Sequence, residues 1–170
     1  MPAASPEAVE AAPLLTPAMA AFICGGQSLT VSSRDERLQP SLAKGVACCV
    51  SKDLREVTVI VSIAASGSLC RDIEHSGVIA VVACRPSTHE TYQLKGTDAR
   101  SVSLDAEDPE RVRAYLADFA KDLLPLGWDS NFIETAFSHR TSDLRKFRFT
   151  PTAVFDQTPG PRAGTRICRN

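Results

Sequence analysis

From residue 28 onward, apolar and polar positions alternate in short runs separated by polar turns. Residues 28–33 (SLTVSS) alternate and are rich in β-formers, and 56–63 (EVTVIVSI) carries three Val and two Ile, the clearest strand of the chain. Between them, 40–51 (PSLAKGVACCVS) is an apolar run with Gly45 inside it, which predicts a bulge or a close backbone approach. The links 34–37 (RDER) and 52–55 (KDLR) are of hairpin length, so the three strands are expected to pair antiparallel; a parallel crossover needs a dozen residues or more. A second strand group follows at 77–84 (GVIAVVAC), 90–96 (ETYQLKG) and 99–104, and 146–155 (KFRFTPTAVF) predicts a last strand.

Helical spacing occurs between and around these runs. Thr16-Pro17 reads as an N-cap followed by Pro at the first helical position, opening a short helix over 18–24 that Gly25-Gly26 stops. Leu69 and Ile73, four apart and followed by Gly77, predict one or two turns within 64–77. Asp108-Pro109 opens a stronger helix by the same cap-plus-Pro logic, with Val112, Leu116, Phe119, Leu123 and Leu124 as its apolar stripe. A shorter helix is expected over 131–137. Pro159, Gly160, Pro161 and Gly164 lead us to expect no regular structure after residue 156.

Six or seven short strands with a few helices indicate a mainly β protein with peripheral helices (α+β), an antiparallel β-barrel in which closure removes sheet edges. The expected organisation is a mobile tail over 1–15, one barrel domain over 16–158 and a Gly/Pro-rich tail over 159–170. The 170 residues hold 19 Lys and Arg against 20 Asp and Glu, a formal net charge of −1. Such a balance gives no long-range attraction for polyanions, which counts against nucleic acid or a membrane surface as the main partner. Residues 1–13 contain no Lys or Arg, so the positive region of an export signal is missing, and no run approaches the roughly 20 apolar residues of a membrane span. A cytoplasmic protein is expected.

Six cysteines stand at 24, 48, 49, 70, 84 and 168, with no C-x-x-C among them. Cys48, Cys49 and Cys84 lie in apolar runs and are expected to be buried and inert. The dinucleotide, Walker and nucleophile-elbow signatures are absent, and His75, His89 and His139 are too scattered to suggest a metal set. Three stretches remain as candidates for chemistry. Lys44 in 40–45 is either a snorkelling rim residue or a cation poised for an anion. Ser62, Ser66, Gly67 and Ser68 run from a strand end into a helix start, where free N–H groups and hydroxyls either hold a phosphate or simply cap the helix. Thr91, Gln93 and Lys95 share one face of a strand, turned to solvent or to a ligand.

Taken together, these stretches resemble the pyridoxamine 5′-phosphate oxidase-like FMN-binding split β-barrel family, from about residue 28 to 104 in the order strand–strand–strand–helix–strand–strand. The closing Phe149-Thr150-Pro151 and 155–161 (FDQTPGP) are similar to the end of an uncharacterised bacterial branch of that family. The resemblance implies a homodimer with two FMN sites at the subunit interface. It places the family's phosphate-side Arg and Lys at Gln39 and Lys44, so only the Lys is kept. The family's Ser-Arg-Lys at the small helix falls at Ala65, Ser66 and Gly67, without either basic residue. Its flavin-ring Gln falls at Thr91, with Gln93 on the same face as a replacement. Arg71, Arg85, Lys95 or Arg162 are candidates to restore the lost charge at the phosphate. The implied function is that of an FMN-dependent oxidoreductase of unknown substrate; the alternatives are a non-catalytic FMN or haem binder or sensor, and an interaction module without cofactor. The substrate-binding Trp and Arg of the true oxidases lack counterparts, so oxidation of pyridoxamine phosphate itself is not expected.

Overall fold

The structure, a computed structural model, describes residues 12–64 and 67–167. Strand β1 (Ser28–Arg34), β2 (Pro40–Val50), β3 (Val57–Ser62), β4 (Ile79–Cys84), β5 (Thr91–Gly96), β6 (Arg100–Val102), β7 (Leu144–Phe149), β8 (Ala153–Asp156) and β9 (Thr165–Arg166) form one antiparallel sheet in the order β6-β7-β3-β2-β1-β4-β5-β8-β9. The expected last strand is divided at Pro151, whose missing N–H interrupts the ladder, into β7 and β8.

The pairing registers show how this sheet closes. Lys95 lies opposite Ala153 and Arg100 opposite Arg148, so β5 running into β6 and β7 running into β8 form one ribbon without a slip. One half of that ribbon pairs with β4 through β5, and the other half pairs with β3 through β7. The ring β1-β2-β3-ribbon-β4 is thereby complete, and β6 and β9 are the leftover flaps of the split.

Inside the ring, side chains alternate inward as the pleat demands. Leu29, Val31, Val57, Val59, Val61, Val81, Leu94, Phe147, Phe149 and Val154 are buried. Gly45 is the point where this alternation breaks. A Cβ there would stand 2.6 Å from the Leu29 Cβ, and the β2–β3 register shifts between Gly45 and Ala47. The bulge expected from the sequence is present, and it exchanges the two faces of β2. Before it, Ser41 and Ala43 point inward and Leu42 and Lys44 outward; after it, Cys48 points inward and Ala47 and Cys49 outward.

Four helices decorate the ring. Helix α1 (Pro17–Cys24) is capped as expected, the Thr16 Oγ1 accepting from the Met19 N–H at 3.1 Å, and it packs Phe22 edge-on to Tyr92. Leu15, just before it, is fully buried. Helix α2 (Gly67–Ser76) buries Leu69, Asp72 and Ile73. Helix α3 (Asp108–Leu123) buries Val112, Tyr115, Phe119 and Leu123 and is followed by α4 (Ser130–Ala136).

Four expectations are corrected. Leu124 is exposed, because the chain tightens into a 3₁₀ turn at Leu124–Leu126 and rotates it off the stripe. Asp108 does not cap α3; its carboxylate is held by Lys146 and Arg111. Cys49 is exposed and Cys84 half-buried, since alternation along a strand cannot bury neighbours equally. The C-terminal segment is not wholly irregular: β9 adds to the free edge of β8. Among the described residues, no helix is long and apolar enough to cross a membrane.

Candidate functional site

The bulge at Gly45 divides the outside of the barrel into two faces. The first spans the beginning of β2 and then β1, β4, β5 and β8. Direct cross-strand partners there form a row, Lys44–Thr30–Val82–Gln93–Phe155, and beside it a second row, Leu42–Ser32–Ala80–Lys95–Ala153. Phe137, just after α4, lies over the Lys44 end of the first row. Leu42 is 54% exposed, while Val82, Ala80 and Phe155 are half-buried.

At one end of this face lies a cavity of about 500 Å³ walled by Leu42, Val46 and Phe137, with the hydroxyls of Thr30, Ser62 and Ser138 on it. The Lys44 ammonium stands 4.6 Å from the centroid of the Phe137 ring. Among the described residues Lys44 has no carboxylate partner, so the ring holds this cation in place without neutralising it. Phe137 follows α4, whose first turn is capped by the Asp129 carboxylate at 3.1 Å from the Phe132 N–H. The segment between β6 and β7 thus reaches across the barrel and supplies one wall of the cavity. Sequence reading did not single out Phe137 or Ser138, because no local spacing relates them to Lys44, ninety-odd residues earlier.

The structure unites some of the sequence-predicted residues and separates others. Lys44 and Ser62 line the same cavity. Gly67 and Ser68 open α2 in exposed positions, and Ser66 lies outside the described residues. Gln39 sits at the end of the β1–β2 hairpin, its N–H on the Asp35 carboxylate at 2.8 Å, away from Lys44. Thr91, Gln93 and Lys95 are on the outer face with Lys44, but about 14 Å along it, three strand spacings away. There the Thr91 hydroxyl donates to the His89 carbonyl at 2.8 Å, so it is committed to its own turn. The Gln93 Oε1 accepts from Gln157 at 3.2 Å, which leaves the Gln93 amide free to donate. Lys95 stands 4.9 Å from the Phe155 ring centroid. Arg71, Arg85 and Arg162 pair with Asp72, Glu90 and Asp156 at 3.7, 3.6 and 3.5 Å, and none of them lines the Lys44 cavity.

The second face comprises the end of β2 and then β3 and β7, and α3 lies over it. Its rows are Ala47–Ile60–Lys146 and Cys49–Thr58–Arg148. Here the charges are fully paired. Lys146, only 10% exposed, donates to Asp108 at 2.8 Å and to Asp105 at 3.0 Å, and Arg111 donates to both carboxylates at 2.8 Å. Arg111 and Lys146 hold the Asp105 carboxyl well below the usual carboxylate range. Burial works against ionisation of Asp108, but Lys146, the Asp105 N–H and Arg111 outweigh it, so this carboxyl also titrates low. Burial likewise disfavours the Lys146 cation, and the two carboxylates reverse this and raise its pKa. Among the described residues no group of His, Cys, Asp and Glu side chains is placed to hold a metal ion.

No protein-family model matches the chain, and no curated protein matches it either. Solved structures do. HupZ of Group A Streptococcus is 18% identical, the match covering 88% of this chain and 99% of that one with a TM-score of 0.51. A putative pyridoxamine 5′-phosphate oxidase of Lactobacillus delbrueckii is 14% identical over 83% of this chain and 93% of that one, with a TM-score of 0.50. HutZ, described as the heme storage protein of Vibrio cholerae, is 15% identical over 82% and 92%, with a TM-score of 0.47. At these identities the likeness is one of architecture. The chain has the fold of the pyridoxamine 5′-phosphate oxidase-like split barrels.

Proposed function

We propose that the chain binds FMN on the outer face around Lys44, that a second copy of the chain completes the site, and that the protein is a flavin-dependent oxidoreductase. The observation that carries this reading is Lys44 itself: a cation with no described carboxylate partner, fixed against Phe137 at an apolar cavity of about 500 Å³. A phosphate is the natural partner for such a group, since a charge-assisted hydrogen bond is about twice as strong as a neutral one. The residues present fit a flavin in kind. Leu42, Val46 and Phe137 offer apolar surface, Thr30, Ser62 and Ser138 offer hydroxyls, and the Gln93 amide is the donor left over farther along the face.

FMN, when bound, supplies hydride and single-electron chemistry that no amino-acid side chain provides. The chain's own contribution is binding and orientation. Lys44 offsets phosphate charge, Phe137 keeps the ammonium from swinging into solvent, and the two outward rows give a flat surface with Leu42 at its margin. Exposed apolar surface of this kind suits burial against a second copy.

The test is the absorption spectrum of the protein purified without added cofactor, followed by sedimentation. Flavin absorption bands, bleached by a reduced nicotinamide, in a dimer are expected. A haem Soret band, or a colourless protein that ignores added FMN, overturns the proposal. A monomer that binds FMN overturns the shared site alone.

A further inference from the structure

The second face holds a cavity of its own, of about 260 Å³, between the floor of β2 and β3 and the roof of α3. It shares no residue with the Lys44 cavity. Two outward thiols line it, Cys24 from the end of α1 and Cys49 from β2, with the β2 chain at Ala47 and Cys48, Ile60 and the Tyr115 ring. The bulge at Gly45 creates this arrangement. By exchanging the faces of β2 it turns Ala47 and Cys49 out under α3, where uninterrupted alternation from Lys44 would have placed Val46 and Cys48.

The chemistry of these walls narrows what they can hold. Every charged residue on the cavity is already matched: Lys146 and Arg111 by Asp105 and Asp108, and Asp118 by Lys121 at 2.7 Å. The Tyr115 hydroxyl donates to the Ile23 carbonyl at 3.1 Å and accepts from the Gln27 N–H at 2.9 Å, so it presents its ring and no free polar group. Burial pushes the Cys24 thiol up, so it stays protonated, soft and uncharged. An ionic ligand would find no unbalanced charge here. Sulfur walls and an aromatic ring favour a polarisable π-system. The volume is also sufficient, since a dry cavity of roughly 150 Å³ accommodates benzene.

We propose that the cavity between β2, β3 and α3 is a binding site for a small, neutral aromatic molecule of about two fused rings. The probe is indole, and Cys49 is the reporter, because it lines the cavity and is exposed to reagent. Thiol labelling of the full chain with a disulfide reagent is followed with and without saturating indole, a Cys49→Ser variant identifying the Cys49 phase. Indole is expected to slow that phase at least tenfold, and indole-3-acetate, the same ring with a carboxylate, less than threefold. Ala114 is exposed on α3 at the cavity, so A114W should remove the indole effect while leaving the circular-dichroism spectrum unchanged. T58L, which fills the cavity from its floor, should do the same. A Cys49 rate that indole leaves unchanged, or equal protection in A114W and T58L, overturns the site. Equal protection by the carboxylate overturns the assignment of a neutral ligand. Neither result bears on FMN, which is read from the spectrum.

Discussion

The two outer faces of this barrel use lysine in opposite ways. On the face under α3, Lys146 is nearly buried and matched by two carboxylates; on the other, Lys44 stands against an aromatic ring and has no carboxylate partner among the described residues. Both lysines sit on outward strand positions, and alternation along the strand does not tell them apart. What separates them is the element packed above. Asp105 and Asp108 are delivered by the start of α3, while among the described residues no carboxylate is delivered to Lys44. A matched charge stabilises the fold where it sits, whereas an unmatched one is available to a ligand.

The largest test of this contrast is Lys146→Met, which keeps the volume and removes the charge. It leaves the buried Asp108 carboxylate with Arg111 and the Asp105 N–H and should destabilise the protein by about 3 kcal/mol in urea unfolding. A loss under about 1 kcal/mol would mean that the covered face does not depend on its ion network. The network also sets a pH dependence. Asp105 and Asp108 titrate lower folded than unfolded, so their contribution is complete above a carboxylate's ordinary pKa of about 4 and is lost as pH falls through the lowered values. Lys146 is shifted up, so its contribution is complete below about 10.4 and lost only as pH rises beyond that. Unfolding midpoints against pH for wild type and Lys146→Met should converge in acid.

Gly45→Ala attacks the border between the faces. Its methyl would press on the Leu29 side chain, and a loss of roughly 2 kcal/mol is expected, with slower exchange of β2 amides abolished near the bulge. Lys44→Gln should weaken FMN retention about tenfold, read by fluorescence titration, and change stability by no more than about 0.5 kcal/mol. The reverse pattern, lost stability with intact binding, would make the two lysines equivalent. The smallest effect is expected from Leu42→Ser. It should shift the monomer stability by less than about 0.5 kcal/mol while weakening self-association in sedimentation.

How much of this was legible in the sequence follows from the range of each interaction. The strand runs, the Thr16-Pro17 cap and the bulge at Gly45 are local, and the chain states them openly. The consequence of the bulge was harder to see. Cys48 and Cys49 read as equivalent apolar cysteines until pairing with Val59 and Thr58 assigns them to opposite faces. Asp108 read as a helix cap, since the carboxylate's true partner, Lys146, lies 38 residues on in a strand not yet placed. Lys44 and Ser62 were found from local pattern, a cation in an apolar strand and a strand end running into a helix, and Phe137 was missed because only the tertiary fold brings α4 over β2. The outward set Thr91, Gln93 and Lys95 followed from alternation alone, but which hydroxyl was already committed did not.

The ribbon that closes the ring has a consequence for synthesis. The contacts that unite β3 with β7 and β5 with β8 join residues 57–62 and 91–96 to residues beyond 143, the most distant pairings in the sheet. A chain emerging from the ribosome therefore carries β1 to β5 as an open sheet with two bare margins while some fifty further residues are still being made, an interval in which those margins can pair with a neighbouring chain. Translation speed across the α3–α4 segment sets how long that interval lasts, so slow codons there should lower soluble yield without altering one residue of the product.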